Sequence, residues 1–179
     1  NNQINIDEPF KNLFTQGMVC HETYKDKNGN WLFPNEVEKV GKDFLKKDDE
    51  SKVNVGPIES MSKSKKNTID PEEMINMYGA DSVRWFILSD SPPEKDVLWS
   101  DNGAHSSNKF LQKVWNLNLS LINRKQKKSS INVERQFEDH LNSFIKKIDS
   151  SIKEFKFNVS IAYFYEIFKY LRNQFEKEI

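Results

Sequence analysis

The sequence predicts a mainly α protein with a small β part, and three observations carry that expectation. The C-terminal half repeats apolar residues at helical spacing over long stretches. The N-terminal half instead holds short apolar runs punctuated by Asn-Gly and Pro. Between them Ser91-Pro92-Pro93 breaks the chain and marks the expected domain boundary. With 179 residues the chain can hide roughly 70% of its unfolded surface, enough for a real core.

Taken in order, residues 8–16 read as a short helix or turn ending at Gly17, and Met18 to Tyr24 alternates as a strand does. Asp26-Lys27-Asn28-Gly29 signals a tight turn, because Asn and Gly tolerate positive φ. Trp31-Leu32-Phe33 is the returning strand, stopped by Pro34. Residues 35–57 are highly charged, with Val53, Val55 and Ile58 offering a further strand. Asp70 is placed to cap a helix whose first residue is Pro71, with Glu73 reaching back in a capping box. That helix spans 71–78 and ends in a left-handed cap at Gly79. Asp81 is expected to cap the next one, where Val83, Trp85, Phe86, Ile87 and Leu88 leave little polar surface. Arg84 stands out there: it either snorkels to solvent, pairs with a carboxylate or reaches RNA phosphate.

Beyond Pro93 the pattern is helical throughout. Phe110, Leu111, Val114, Trp115, Leu121 and Ile122 share one face; Phe137, Leu141, Phe144, Ile145 and Ile148 share another. The last helix carries two stripes, one through Val159, Tyr163, Ile167 and Tyr170, the other through Ile161, Phe164, Tyr165 and Phe168. Two apolar sides need two neighbours. Only two other long helices are expected, so a partner outside the chain is implied.

Lys+Arg and Asp+Glu both number 27, so nucleic-acid contact has to come from local patches. The run Arg124, Lys125, Lys127 and Lys128 is one such patch, though solvated linkers commonly look the same. The lone Cys20 excludes an internal disulfide and fits a reducing cytosol. Beside it His21 makes no credible metal site, and none is expected elsewhere. No apolar run approaches a membrane span. The chain begins without methionine and stops inside a helical pattern, so it is expected to be a segment of a longer protein.

The most informative stretch is Glu59-Ser60-Met61-Ser62-Lys63-Ser64-Lys65-Lys66-Asn67-Thr68. A cationic loop braced on a helix N-terminus is suited to phosphate oxygens: lysines supply charge, serines and amides supply directional donors. Its wording resembles the K-M-S-K-S signature of class I aminoacyl-tRNA synthetases, and the continuation through Ile69-Asp70-Pro71 is similar to the leucyl-tRNA synthetase version. Isoleucyl, valyl and methionyl relatives, the alternatives, usually carry glycine where this chain has Lys66. The resemblance extends through Tyr78-Gly79-Ala80-Asp81-Ser82-Val83-Arg84, Trp99-Ser100-Asp101, Phe110-Leu111-Gln112-Lys113-Val114-Trp115-Asn116 and Phe157-Asn158-Val159-Ser160-Ile161-Ala162. One departure is plain: the first lysine of the signature is Ser60.

The resemblance implies a division into residues 1–23, the C-terminal end of a Rossmann-type catalytic domain; 24–57, a small leucine-specific insertion; 58–92, the signature loop and stem-contact helices; and 93–179, the start of a helical anticodon-binding bundle. It implies a cytoplasmic ligase that joins leucine to ATP, with Mg2+, and passes leucine to tRNA(Leu). Lys63 is the expected catalytic residue, meeting charge on the leaving pyrophosphate. Met61, Ser62, Lys63 and Ser64 would contact ATP, with Lys65 and Lys66 as candidates to replace the missing lysine. Arg84, Arg124, Lys125, Lys127 and Lys128 are the tRNA-contact candidates. The family's nucleotide motif, leucine pocket and editing domain lie upstream, so the segment alone is expected to be inactive. The rival from another class is a non-catalytic helical RNA-binding module with a basic loop.

Overall fold

A computed structural model describes residues 8–122 and 131–176. Helices make up about 55% of the described residues beside small sheets. The central strand is β1 (Val19–Lys25). Along one edge it pairs antiparallel with β5 (Asn54–Ser60), in the register Cys20 to Ser60 and Lys25 to Asn54. Its other edge takes β2 (Trp31–Leu32) at one end and β6 (Val97–Leu98), running parallel, at the other.

The Asp26–Gly29 turn forms as its residues dictate. The Asp26 carboxylate accepts the amides of Asn28 and Asn30 at 2.8 Å each, and Gly29 takes φ 85°. Those hydrogen bonds, first the one from the Asn30 side chain, hold the Asp26 carboxyl below its ordinary value. Proline inside β5 is tolerated because the pairing shifts there: Gly56 and Pro57 lie opposite Thr23 alone. The buried Thr23 hydroxyl donates to the Pro57 carbonyl at 3.0 Å. Between β2 and β5 the charged segment folds into a hairpin of β3 (Val37–Val40) and β4 (Asp43–Lys46). Tyr24, Leu32, Val37 and Val53 close a small core under it.

After the loop come α1 (Pro71–Tyr78) and α2 (Ala80–Asp90). Asp70 caps α1 through the Glu72 amide at 2.9 Å, not through that of Glu73, so the expected capping box is absent. Gly79 has φ 83° and ψ 148°, outside the expected left-handed helical cap and in a region open essentially to glycine alone. It also serves as N-cap of α2, which puts Asp81 inside the first turn instead of capping it. Met74, Phe86, Val97, Trp99 and Ala104 form the main core, and Gly103 admits the Phe86 ring where a Cβ would sit 2.3 Å from it.

The C-terminal half comprises α3 (Asp101–Ile122), α4 (Ile131–Lys153) and α5 (Phe157–Glu176). The two stripes of α5 each find a neighbour. Tyr170 meets Phe137 and His140 of α4, while Phe164 and Tyr165 meet Trp85 of α2, and Tyr165 and Phe168 meet Phe110 of α3. The second stripe thus meets α2, assigned from sequence to the other half, as well as α3, while Phe164 and Tyr165 stay 38% and 40% exposed.

Two further expectations fail. Residues 8–16 are not helical. The Gly17 amide donates to the Pro93 carbonyl at 2.9 Å, the Met18 amide donates to Asp96 at 2.8 Å, and Phe14 stacks on Phe155 at 4.9 Å. The segment is irregular, with bends at Pro9 and Lys11, and the contacts of Phe14, Gly17 and Met18 anchor its C-terminal end. Nor is the chain purely helical beyond Pro93, since β6 returns to the sheet before α3 begins.

Candidate functional site

The loop of residues 59–68 leaves the end of β5 and enters α1 through Asp70. Its organiser is Asn67, which is 0% exposed. The Asn67 Oδ1 accepts the Ser62 amide at 2.8 Å. Its Nδ2 faces three carbonyls: Glu59 at 3.2 Å, Ser60 at 3.3 Å and His21 at 3.4 Å. One side chain therefore ties both ends of the loop to each other and to β1. A second tie is the Met61 amide, which donates to the Val19 carbonyl at 3.0 Å. The Met61 side chain, expected beside the nucleotide, packs half-buried against the main core.

Inside that frame Ser62 to Lys66 makes one tight turn. Ser62 Oγ accepts the Lys65 amide at 3.4 Å and lies 3.2 Å from Ser64 Oγ. Lys66 takes φ 53° and ψ 19°, the left-handed region. A residue with a Cβ pays on the order of 1 kcal/mol there.

The three lysines fare differently. Lys65 is ion-paired with Glu59 across the loop. Lys66 places its ammonium over the Phe33 ring, 5.1 Å from the centroid. Lys63 is exposed, with no carboxylate at ion-pairing distance among the described residues. It stands at the rim of a cleft of about 740 Å³ between the β3–β4 segment, the loop and α1. Lys47, Thr68, Asp70 and Asp101 also line that cleft. Asp101 opens α3 and accepts the Trp99 indole N–H at 2.8 Å. Its charge adds to the effect of burial in pushing the Tyr78 hydroxyl up. Tyr24 is pushed up further, by burial first and then by its hydrogen bond to Glu22.

Arg84 lies far more exposed than buried and pairs with Asp81 at 3.6 Å, one turn earlier on α2. Arg124, Lys125, Lys127 and Lys128 lie outside the described residues. Sequence reasoning missed Glu59 as the partner of Lys65 and Asp101 as one of the acids lining the cleft. Nothing in helical or strand spacing links Glu59 to Lys65, so only the turn of the loop brings them together. Among the described residues no three His, Cys, Asp or Glu side chains gather to hold a metal, and no helix is long and apolar enough to cross a membrane.

Residues 56–100 match the family model of class I tRNA synthetases (I, L, M and V). Over 98% of its length the chain is 44% identical to a leucine–tRNA ligase of Rickettsia bellii, of which it covers 21%. It is 55% identical to the leucine–tRNA ligase of Bartonella henselae over 63% of the chain and 13% of that protein. The chain thus spans about a fifth of the length of the curated relatives it matches. A LeuRS of Agrobacterium radiobacter K84, solved as a ternary complex with tRNA and LeuAMS, superposes with a TM-score of 0.65. That match covers 96% of this chain and 19% of the other at 23% identity, so it speaks to the fold.

Proposed function

We propose, for a chain that belongs with the leucine–tRNA ligases among the class I tRNA synthetases, that it presents the phosphate-binding loop of such an enzyme. In the full-length protein, leucine and ATP would give leucyl-adenylate and pyrophosphate, and tRNA(Leu) would then accept leucine on its terminal adenosine. The observation that carries this reading is the division of labour among the loop lysines. Lys65 and Lys66 are engaged within the protein, while Lys63 alone is exposed and without an ion-pair partner.

As pyrophosphate leaves the α-phosphorus, negative charge grows on its bridging oxygen. A fixed ammonium at Lys63 stabilises that charge more than the ground state, which is what raises the rate. Ser62 and Ser64 shape the turn and turn hydroxyls toward phosphate oxygens. Met61, half-buried, anchors the loop to the core and borders the nucleotide. Mg2+ would arrive with the nucleotide as part of the substrate, in the cytoplasm.

The same reading assigns residues 1–23 to the end of a Rossmann-type domain, 24–57 to a leucine-specific insertion and 58–92 to the loop and stem-contact helices. Residues 93–179 open the anticodon-binding bundle, and the pairing of β6 with β1 favours drawing that last boundary after Ser100. A non-catalytic RNA-binding module is disfavoured, because attraction to phosphate does not require a buried Asn67 to fix the loop.

Pre-steady-state adenylation by the full-length enzyme tests the assignment. Lys63→Ala should slow adenylate formation by about 100- to 1,000-fold, mainly through rate and not ATP affinity. Lys65→Ala and Lys66→Ala should cost much less, since both side chains are already occupied. Ser60→Lys should be close to neutral if Lys63 completes the loop. An unimpaired Lys63→Ala enzyme would overturn the assignment.

A further inference from the structure

Lys66 holds a conformation that its side chain does not favour. At φ 53° and ψ 19° it sits in the left-handed region, where a Cβ crowds the following carbonyl. Its amide donates to the Lys63 carbonyl at 3.3 Å, which closes the turn that presents Lys63. Glycine or asparagine would make the same backbone bond and would adopt this conformation more easily. What lysine adds is its ammonium, which lies over the Phe33 ring 5.1 Å from the centroid. A strained residue in a functional loop points to a contact that the strain serves.

Phe33 is a firm partner for that contact. It follows β2 directly, outside the loop, and caps a single 3-10 turn over Pro34–Glu36. Its amide donates to the Glu36 carboxylate at 2.7 Å, and its carbonyl accepts the Glu36 amide at 3.0 Å. The ring belongs to neither apolar core and stays 37% exposed, so core packing does not account for it. Its face carries the negative potential that attracts an ammonium within about 6 Å. Asn67 and Met61 tie the loop to β1. Lys66 ties it instead to the segment after β2, whose Phe33 lines the same cleft as Lys63.

We propose that Phe33 is a positioning residue for adenylate formation, holding the Lys66 ammonium and through it the turn that presents Lys63. The proposal rests on the ligase reading for what Lys63 does there. In this role neither Phe33 nor Lys66 meets the reacting atoms. Together they narrow the range over which the Lys63 ammonium moves as charge grows on the leaving pyrophosphate.

The test is pre-steady-state adenylation by the full-length enzyme with leucine and ATP. Phe33→Leu keeps apolar bulk without a ring face, and should slow the step by about two- to fivefold. Lys66→Asn keeps the left-handed turn without the ammonium, and should slow it by a similar factor. The two together should slow it no further than either alone. In a Lys63→Ala background Phe33→Leu should add nothing, because the group it positions is gone. The loss should fall on the rate constant and leave ATP affinity unchanged. Phe33→Tyr and Lys66→Arg, which preserve the ring face and the cation, should restore the rate. Phe33→Leu at the unaltered rate, equal slowing by Phe33→Tyr, or a double variant slowed by the full product would each overturn the proposal. If Lys63→Ala is itself unimpaired, the loop reading falls; if Lys63→Ala is impaired and Phe33→Leu is not, the role of Phe33 alone falls.

Discussion

The loop at 59–68 and the helical half from α3 to α5 are held by opposite means. One buried amide fixes the loop, with Asn67 linking four backbone groups. Ring packing fixes the helices, with Phe110, Phe164 and Tyr165 of α3 and α5 meeting Trp85 of α2, and Phe168 of α5 meeting Phe110 of α3. Directional bonds specify one geometry and fail when a single donor changes. Dispersion and burial are non-directional, so they tolerate a change of shape that keeps volume. The lesson is that a loop of ten residues can be as well defined as a helix pair, at the cost of depending on one side chain.

Two nearly isosteric substitutions sharpen that contrast. Asn67→Asp replaces a donor by a carboxylate oxygen facing three carbonyls in a site closed to water. It should cost about 3 kcal/mol or more in urea unfolding of the chain, because the new charge keeps only the Ser62 amide as donor and the carbonyls lose theirs. Phe168→Leu, in the bundle, should cost less than about 1.5 kcal/mol by the same measurement. Equal costs would mean that the two regions are not held differently.

What could be read from sequence divides along the same line. Elements fixed by neighbouring residues were legible: the Asp26–Gly29 turn, the Asp70-Pro71 helix start and both stripes of α5. Features fixed by distant residues were not. β6 is two residues long and pairs with a strand 78 positions earlier in the chain, which no local pattern announces. The placement of Phe14, Gly17 and Met18 depends on Phe155, Pro93 and Asp96. Within the site, the motif singles out Lys63, the cation proposed to meet the leaving pyrophosphate. The engagement of Lys65 by Glu59 and of Lys66 by Phe33 was not legible, since a positive φ at Lys66 sets where those side chains point.

The central claim is that Asn67 acts by holding Lys63 in place. A double-mutant cycle on adenylate formation in the full-length enzyme tests it most directly. Asn67→Ala alone should slow the step by on the order of 10- to 100-fold, as a misplacement of about 1 Å does. Combined with Lys63→Ala it should add almost nothing, because the group it positions is already gone. A double variant slowed by the full product of the two single effects would contradict the account.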